Sequence, residues 1–152
     1  MNLELKIPPV IVVLVAMVLT YSLRVVDPSG VLPLPFGKEI FLISISLGIL
    51  VALMGVYSFR KNSTTVNPLN PSQSSTLVCG GIYQLTRNPM YLGMAFIVVG
   101  FAWYSGHYMG FIISVLFKMY MSKYQIKPEE AILSKIFHED YKEYCEKVRR
   151  WL

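Results

Sequence analysis

Apolar residues fall in long blocks along this chain, with polar stretches between them. Residues 7–23 form the first block, behind Pro8 and Pro9, which a helix tolerates in its first turn. The segment 24–38 holds Asp27-Pro28-Ser29-Gly30 and then Pro33 and Pro35, a turn-rich connection. From Ile40 to Phe59 the chain is uncharged, and this second block stops at Arg60-Lys61. Gly48 and Gly55 inside it are points where another helix can approach closely. Asn, Ser, Thr and Pro dominate 60–79, a long connection of the kind that often carries function. A third block runs from Pro89 to about Tyr104, a turn follows at 105–107, and a fourth block begins near Tyr108. The fourth is apolar through Phe117 and amphipathic from Lys118 to Gln125, which predicts a helix that continues out of the hydrocarbon. Over 129–150, Leu133, Ile136, Phe137, Tyr141, Tyr144, Cys145 and Val148 recur at three and four. That spacing predicts an amphipathic helix packed on its neighbours or lying on the membrane surface.

A bilayer core takes about 20 residues to cross. The blocks therefore predict an all-α integral membrane bundle of about four transmembrane helices plus a C-terminal amphipathic helix, in one domain. Composition agrees. Of 152 residues, 54% are hydrophobic and 15% charged, against about 25% charged in soluble domains. Residues 1–127 hold nine Lys/Arg and three Asp/Glu, and 128–152 hold five and six. The excess positive charge thus lies in and around the apolar part, which fits loops facing an anionic leaflet and not a nucleic-acid surface. Arg60, Lys61 and Arg87 flank the middle connection and more cations follow the fourth block, which puts both termini on the cytoplasmic side; Arg24 and Lys38 run against this trend. The first block lacks a small-residue cleavage site before Arg24, so it reads as an uncleaved span. Cys79 and Cys145 suggest neither a disulfide framework nor a metal site.

Candidate chemistry is concentrated in residues 80–93. Asn88 suits a helix N-cap and Pro89 the first helical position, so the free N–H groups of that turn and Arg87 together make a site for a carboxylate. Glu129 and Glu130 follow Pro128 at the next helix start, where acids complement the helix dipole. Both also border the buried stripe set by Leu133, Ile136 and Phe137, and an inward carboxylate at a membrane boundary calls for a cation. Arg87, a lysine or a bound ammonium or sulfonium meets that need. Tyr83 and Tyr91 offer aromatic faces. A zwitterionic ligand with a further positive centre, such as S-adenosylmethionine, satisfies the whole pattern.

Thr76-Leu77-Val78, Gly80-Gly81-Ile82-Tyr83, Arg87-Asn88-Pro89-Met90-Tyr91-Leu92-Gly93, Glu129-Glu130 with Leu133, Phe137 with Glu139, Tyr141 and Tyr144, and Val148 with Arg150 stand in order along the chain. In this the sequence resembles the isoprenylcysteine carboxyl methyltransferases and the related phospholipid N-methyltransferases, over roughly 65–152. The resemblance implies an integral-membrane, S-adenosylmethionine-dependent methyltransferase acting on a lipophilic acceptor or a membrane lipid, with its cofactor site facing the cytoplasm and without metal or nucleic acid. It divides the chain into two generic spans (1–59), a cofactor loop (60–88), and two further spans with the last helix (89–152). By position, Leu77, Val78, Gly81, Tyr83, Arg87, Asn88, Pro89, Tyr91 and Glu129 would bind the cofactor, with Arg87 and Glu130 in catalytic roles. Many members carry His where Asn88 stands. Prenylcysteine-type members tend to carry a substrate-binding Arg where Gln125 stands, with Lys123 and Lys127 as the neighbouring cations. His138 occupies a position where Gly is usual. The acceptor is an isoprenylcysteine-type carboxylate or a phospholipid ethanolamine, and a non-catalytic membrane scaffold is the reading from another class.

Overall fold

The third apolar block becomes a helix because Pro89 supplies a preset first turn and nothing interrupts the run until Gly106 ends it in the left-handed region (φ 70°). It is surrounded by the rest of the chain. The structure, a computed structural model, describes residues 4–61 and 76–152. The helices are α1 (Pro9–Val26), α2 (Gly37–Lys61), α3 (Pro89–Ser105), α4 (Tyr108–Met121) and α5 (Lys127–Lys147). The fold is all-α, as the pattern of blocks predicts. Most of the Asn/Ser/Thr/Pro-rich connection, 62–75, lies outside the described residues.

α1 and α2 are each long and apolar enough to cross a membrane, and α3 is a shorter apolar helix. They are not core helices of a water-soluble protein. Val18 on α1 is 63% exposed and Ile43 on α2 is 66% exposed, in company with many other large apolar side chains on α1, α2 and α4. Such a continuous apolar exterior marks a surface made for something other than water.

α2 packs on α3 through small residues, as Gly48 and Gly55 predict. A Cβ on Gly93 would lie 2.3 Å from the Gly48 carbonyl oxygen, and one on Gly48 would lie 2.5 Å from the Gly93 carbonyl oxygen. Ser44 meets Gly100 and Gly55 meets Pro89 along the same seam. The two backbones are in direct contact there, the close approach that small residues permit.

At the end that carries 105–107, Leu32 N–H donates to the Gly106 carbonyl (2.9 Å) and the Trp103 indole to the Pro35 carbonyl (3.0 Å). Arg24 donates to the Tyr104 and Ser105 carbonyls. This explains the cation that opposed the charge trend: Arg24 closes the C-terminal end of α3, where the helix dipole favours positive charge.

The sequence places a fresh helix start at Pro128. The structure instead carries α4 into α5 through a π-helical turn, Ser122–Ile126. Pro128 has no N–H, so the Tyr124 carbonyl four residues earlier loses its usual donor and the turn widens. Leu5 N–H supplies that carbonyl instead (3.0 Å) and so fastens the N-terminal segment to the helix. α5 is interrupted once, at His138, whose φ of 44° and ψ of −119° lie outside helical space. A glycine adopts that conformation without strain and a histidine does not, which gives a backbone reason for the glycine expected at this position.

Candidate active site

Three pieces of chain meet at the start of α3: the 3₁₀ turn Gly81–Gln84, the first part of α5, and residues 148–152. The turn begins at Gly81 with a positive φ of 63°, and a Cβ there would sit 3.2 Å from Ser58 Oγ, whereas one on Gly80 would meet nothing within 4 Å. Beneath the turn, Val78, Ile82, Tyr83, Tyr141, Tyr144 and Val148 form one buried cluster, with Leu77 packed against it. Tyr144 Oη donates to the Tyr83 carbonyl (2.7 Å), and the Tyr83 ring meets Phe59 edge-on. Burial pushes the Tyr83 phenol well above its usual range, with Tyr144 and Glu129 adding to the effect, so it stays neutral.

Tyr91, one turn into α3, donates its hydroxyl to Glu129 Oε1 across thirty-eight residues of sequence. Glu129 is only partly exposed, and burial pushes its carboxyl up to about 8, the Tyr91 hydrogen bond opposing this and the Glu130 charge assisting it. A carboxylate in this setting gains most when a cation arrives.

Arg87 stands opposite the neighbouring acid. Its Nη2 lies 3.2 Å from Glu130 Oε1, Nη1 meets Cys145 Sγ, and Nε is buried without a hydrogen-bond partner. Glu130 also takes a two-pronged contact from Arg150, Nε to Oε1 at 3.0 Å and Nη2 to Oε2 at 2.6 Å. Planar guanidinium on carboxylate is a favoured geometry. The result is an Arg87–Glu130–Arg150 array.

Asn88 occupies the N-cap position of α3, but its side chain does not cap. The amide donates to the Arg150 carbonyl (2.9 Å), and Thr86 Oγ1 donates to the same carbonyl (3.4 Å). Thr86 Oγ1 accepts from Asn88 N–H (3.2 Å), and Arg87 N–H donates to the Arg149 carbonyl (3.1 Å). The expected Asn88 cap is therefore replaced by a link to the chain end, because residues 149–150 present carbonyls at that point. Pro89 stands in the first turn of α3, as expected, and is fully buried.

Gln125 is fully buried in the π-helical turn and donates Nε2 to the Ile7 carbonyl (2.7 Å), while its Oε1 is buried without a partner. It is tied to the segment that precedes α1. What sequence reasoning missed is the work of the chain end. Val148 and Arg150 were visible as matching positions, yet nothing in their spacing shows that Arg150 shares Glu130 with Arg87 or that the Trp151 indole donates to Ser122 Oγ (3.1 Å). The signal was two arginines beside a tryptophan, close to a helix start with adjacent acids.

The side chains at this junction are chemically compatible with the cofactor that the sequence suggests. Glu129 has its carboxyl group bonded by Tyr91, and Arg87 keeps an unpartnered buried N–H.

A sequence model of the phospholipid methyltransferase family matches residues 39–140. The chain belongs to the phospholipid methyltransferase family. The match takes in both arms of the candidate site, from α2 through Arg87 and Tyr91 to Glu129 and Glu130. It leaves out α1 and the chain end with Arg150. An uncharacterized protein of Haemophilus influenzae is 32% identical over 63 residues, which is 41% of this chain and all of that protein. No solved structure matches significantly. Family membership carries methyltransferase activity and a lipid substrate class as its coarse content.

Proposed function

We propose that this protein transfers a methyl group from S-adenosylmethionine to a lipophilic acceptor at the cytoplasmic face of a membrane, with α1, α2, α3 and α4 embedded in the bilayer. The observation that carries the proposal is the meeting of Tyr91 with Glu129 beside the Arg87–Glu130 pair. It brings a carboxyl group and a guanidinium together from segments far apart in sequence, as the reading requires. Glu129 would hold the cofactor's ammonium, and Arg87 with the first N–H groups of α3 its carboxylate. Leu77, Val78, Gly81, Tyr83, Asn88 and Pro89 would shape the surrounding wall. Bound there, the cofactor would supply an already activated methyl group.

The chain's own part is then alignment and exclusion of water. Both oxygens of Glu130 face arginines, so Glu130 would act by holding Arg87 in place and not by taking a proton. A carboxylate acceptor needs no base. An amine acceptor must first lose a proton, and Glu129 or Tyr91 would relay it. The test is transfer of labelled methyl from S-adenosylmethionine to isoprenylcysteine analogues and to phosphatidylethanolamine vesicles. Base-labile product marks a carboxyl ester, base-stable lipid product marks N-methylation, and label in neither, with no binding of S-adenosylhomocysteine, would leave the scaffold reading.

A further inference from the structure

An open groove of about 830 Å³ runs between α1 and α4, and at Lys127 it adjoins the start of α5. Val12, Val15 and Leu19 form one wall, and Leu116 and Phe117 the other. Its mouth, at the π-helical turn, is formed by Lys118, Lys123 and Lys127 together with Tyr120 and Ser122. No acidic residue lines it, and none of the three lysines makes an ion pair among the described residues. In an unbroken α-helix, Lys123 and Lys127 would lie about 140° and about 180° round from Lys118, at roughly 100° per residue. The wide turn Ser122–Ile126 takes up that difference, and all three lysines front the same groove. Tyr120 Oη, at the same place, is buried without a hydrogen-bond partner.

We propose that this groove holds an acyl chain of an anionic glycerophospholipid, with the lipid phosphate held by Lys118, Lys123 and Lys127. The apolar walls suit a hydrocarbon chain, and the Tyr120 hydroxyl suits an ester or phosphate oxygen. Three positive charges without an acid favour a lipid of net negative charge over one whose phosphate is balanced by its own ammonium. The proposal rests on α1 and α4 being membrane-embedded and is independent of the cofactor assignment.

Trp151 is a built-in reporter. Its indole donates to Ser122 Oγ, and Lys118 Nζ lies 6.0 Å from its ring. The other tryptophan, Trp103, bonds the Pro35 carbonyl at the opposite end of the bundle. The experiment uses the full chain carrying Trp103→Phe in phosphatidylcholine vesicles, titrated with phosphatidylglycerol or phosphatidylcholine brominated on the acyl chain, with quenching of Trp151 as readout. Brominated phosphatidylglycerol is expected to quench at least tenfold more effectively per mole. The triple variant Lys118→Gln/Lys123→Gln/Lys127→Gln is expected to lose that preference, at about fivefold per lysine. Equal quenching by both lipids, an unchanged preference in the triple variant, or a dimer whose Trp151 neither lipid reaches would each overturn the proposal. A thermal shift with S-adenosylhomocysteine on the same samples reads the cofactor site separately, so its loss beside intact lipid selectivity counts only against the cofactor reading.

Discussion

One turn into α3, Gly93 touches the backbone of α2 at Gly48, and no side chain mediates the contact. Around the start of α3, by contrast, three ties run through polar atoms: Arg87 to Glu130, Asn88 to the Arg150 carbonyl, Tyr91 to Glu129. The seam is steric and admits one arrangement. The junction is built of charge-assisted hydrogen bonds whose partners can exchange for the groups of a ligand. α3 is thus held sterically along its seam with α2 and by polar contacts at Arg87, Asn88 and Tyr91. The difference separates substitutions that destroy the fold from those that silence the site.

The seam gives the largest effect. Gly93→Val places a branched side chain where a Cβ alone would lie 2.3 Å from the Gly48 carbonyl oxygen. Backbone cannot yield as a flexible side chain does, so a loss of more than about 3 kcal/mol is expected. Failure to accumulate folded protein in detergent, or a collapsed melting temperature, is the readout. At the junction, Glu130→Ala leaves Arg87, with a side chain only 12% exposed, beside a second guanidinium without its shared acid. Arg150 is more exposed and screened by water, so the expected cost is about 2 kcal/mol and not the full penalty for breaking a buried pair. Thermal unfolding measures it, and a variant as stable as the parent would show that the array contributes nothing.

His138→Gly should move stability the other way. The φ of 44° costs a histidine what it does not cost a glycine, and a gain of about 1 kcal/mol in thermal or denaturant unfolding is expected. The remaining effect is one of pH. The Glu129 carboxyl is raised from 4.5 to about 8 in the folded protein. Between those values the native state keeps a proton that the unfolded chain has released, so stability falls as pH rises through that window and levels off above it. Glu129→Gln should remove this component of the slope in melting curves recorded from pH 5 to 9.

The helical framework was legible in the sequence because long apolar blocks leave few alternatives, and Gly48 announced the seam by its size alone. Arg87 and the acids after Pro128 were legible as complementary charges beside helix starts, and the structure pairs Arg87 with Glu130. The continuous path from α4 into α5 was not, because it depends on Leu5 coming back to bond the Tyr124 carbonyl that Pro128 leaves without a donor. The Asn88 cap was misread for a similar reason: local chemistry favours capping, but a carbonyl sixty-two residues later competes for the same amide. The bond from Gln125 to the Ile7 carbonyl was likewise invisible in the sequence. Each of these is a long-range contact made by a polar atom, which leaves no periodic trace in the sequence.

Central to the account is the claim that Glu129 and Arg87 are two arms of one cofactor site. The direct measurement is calorimetric titration of S-adenosylhomocysteine into the detergent-solubilised chain at pH 7, in two buffers of different ionisation enthalpy, with Glu129→Gln alongside. The parent should bind and release close to one proton as the arriving ammonium ionises Glu129. Glu129→Gln should bind at least about tenfold more weakly, the loss of one charge-assisted hydrogen bond, and release none. Equal affinity in the two proteins with the same proton release would contradict it.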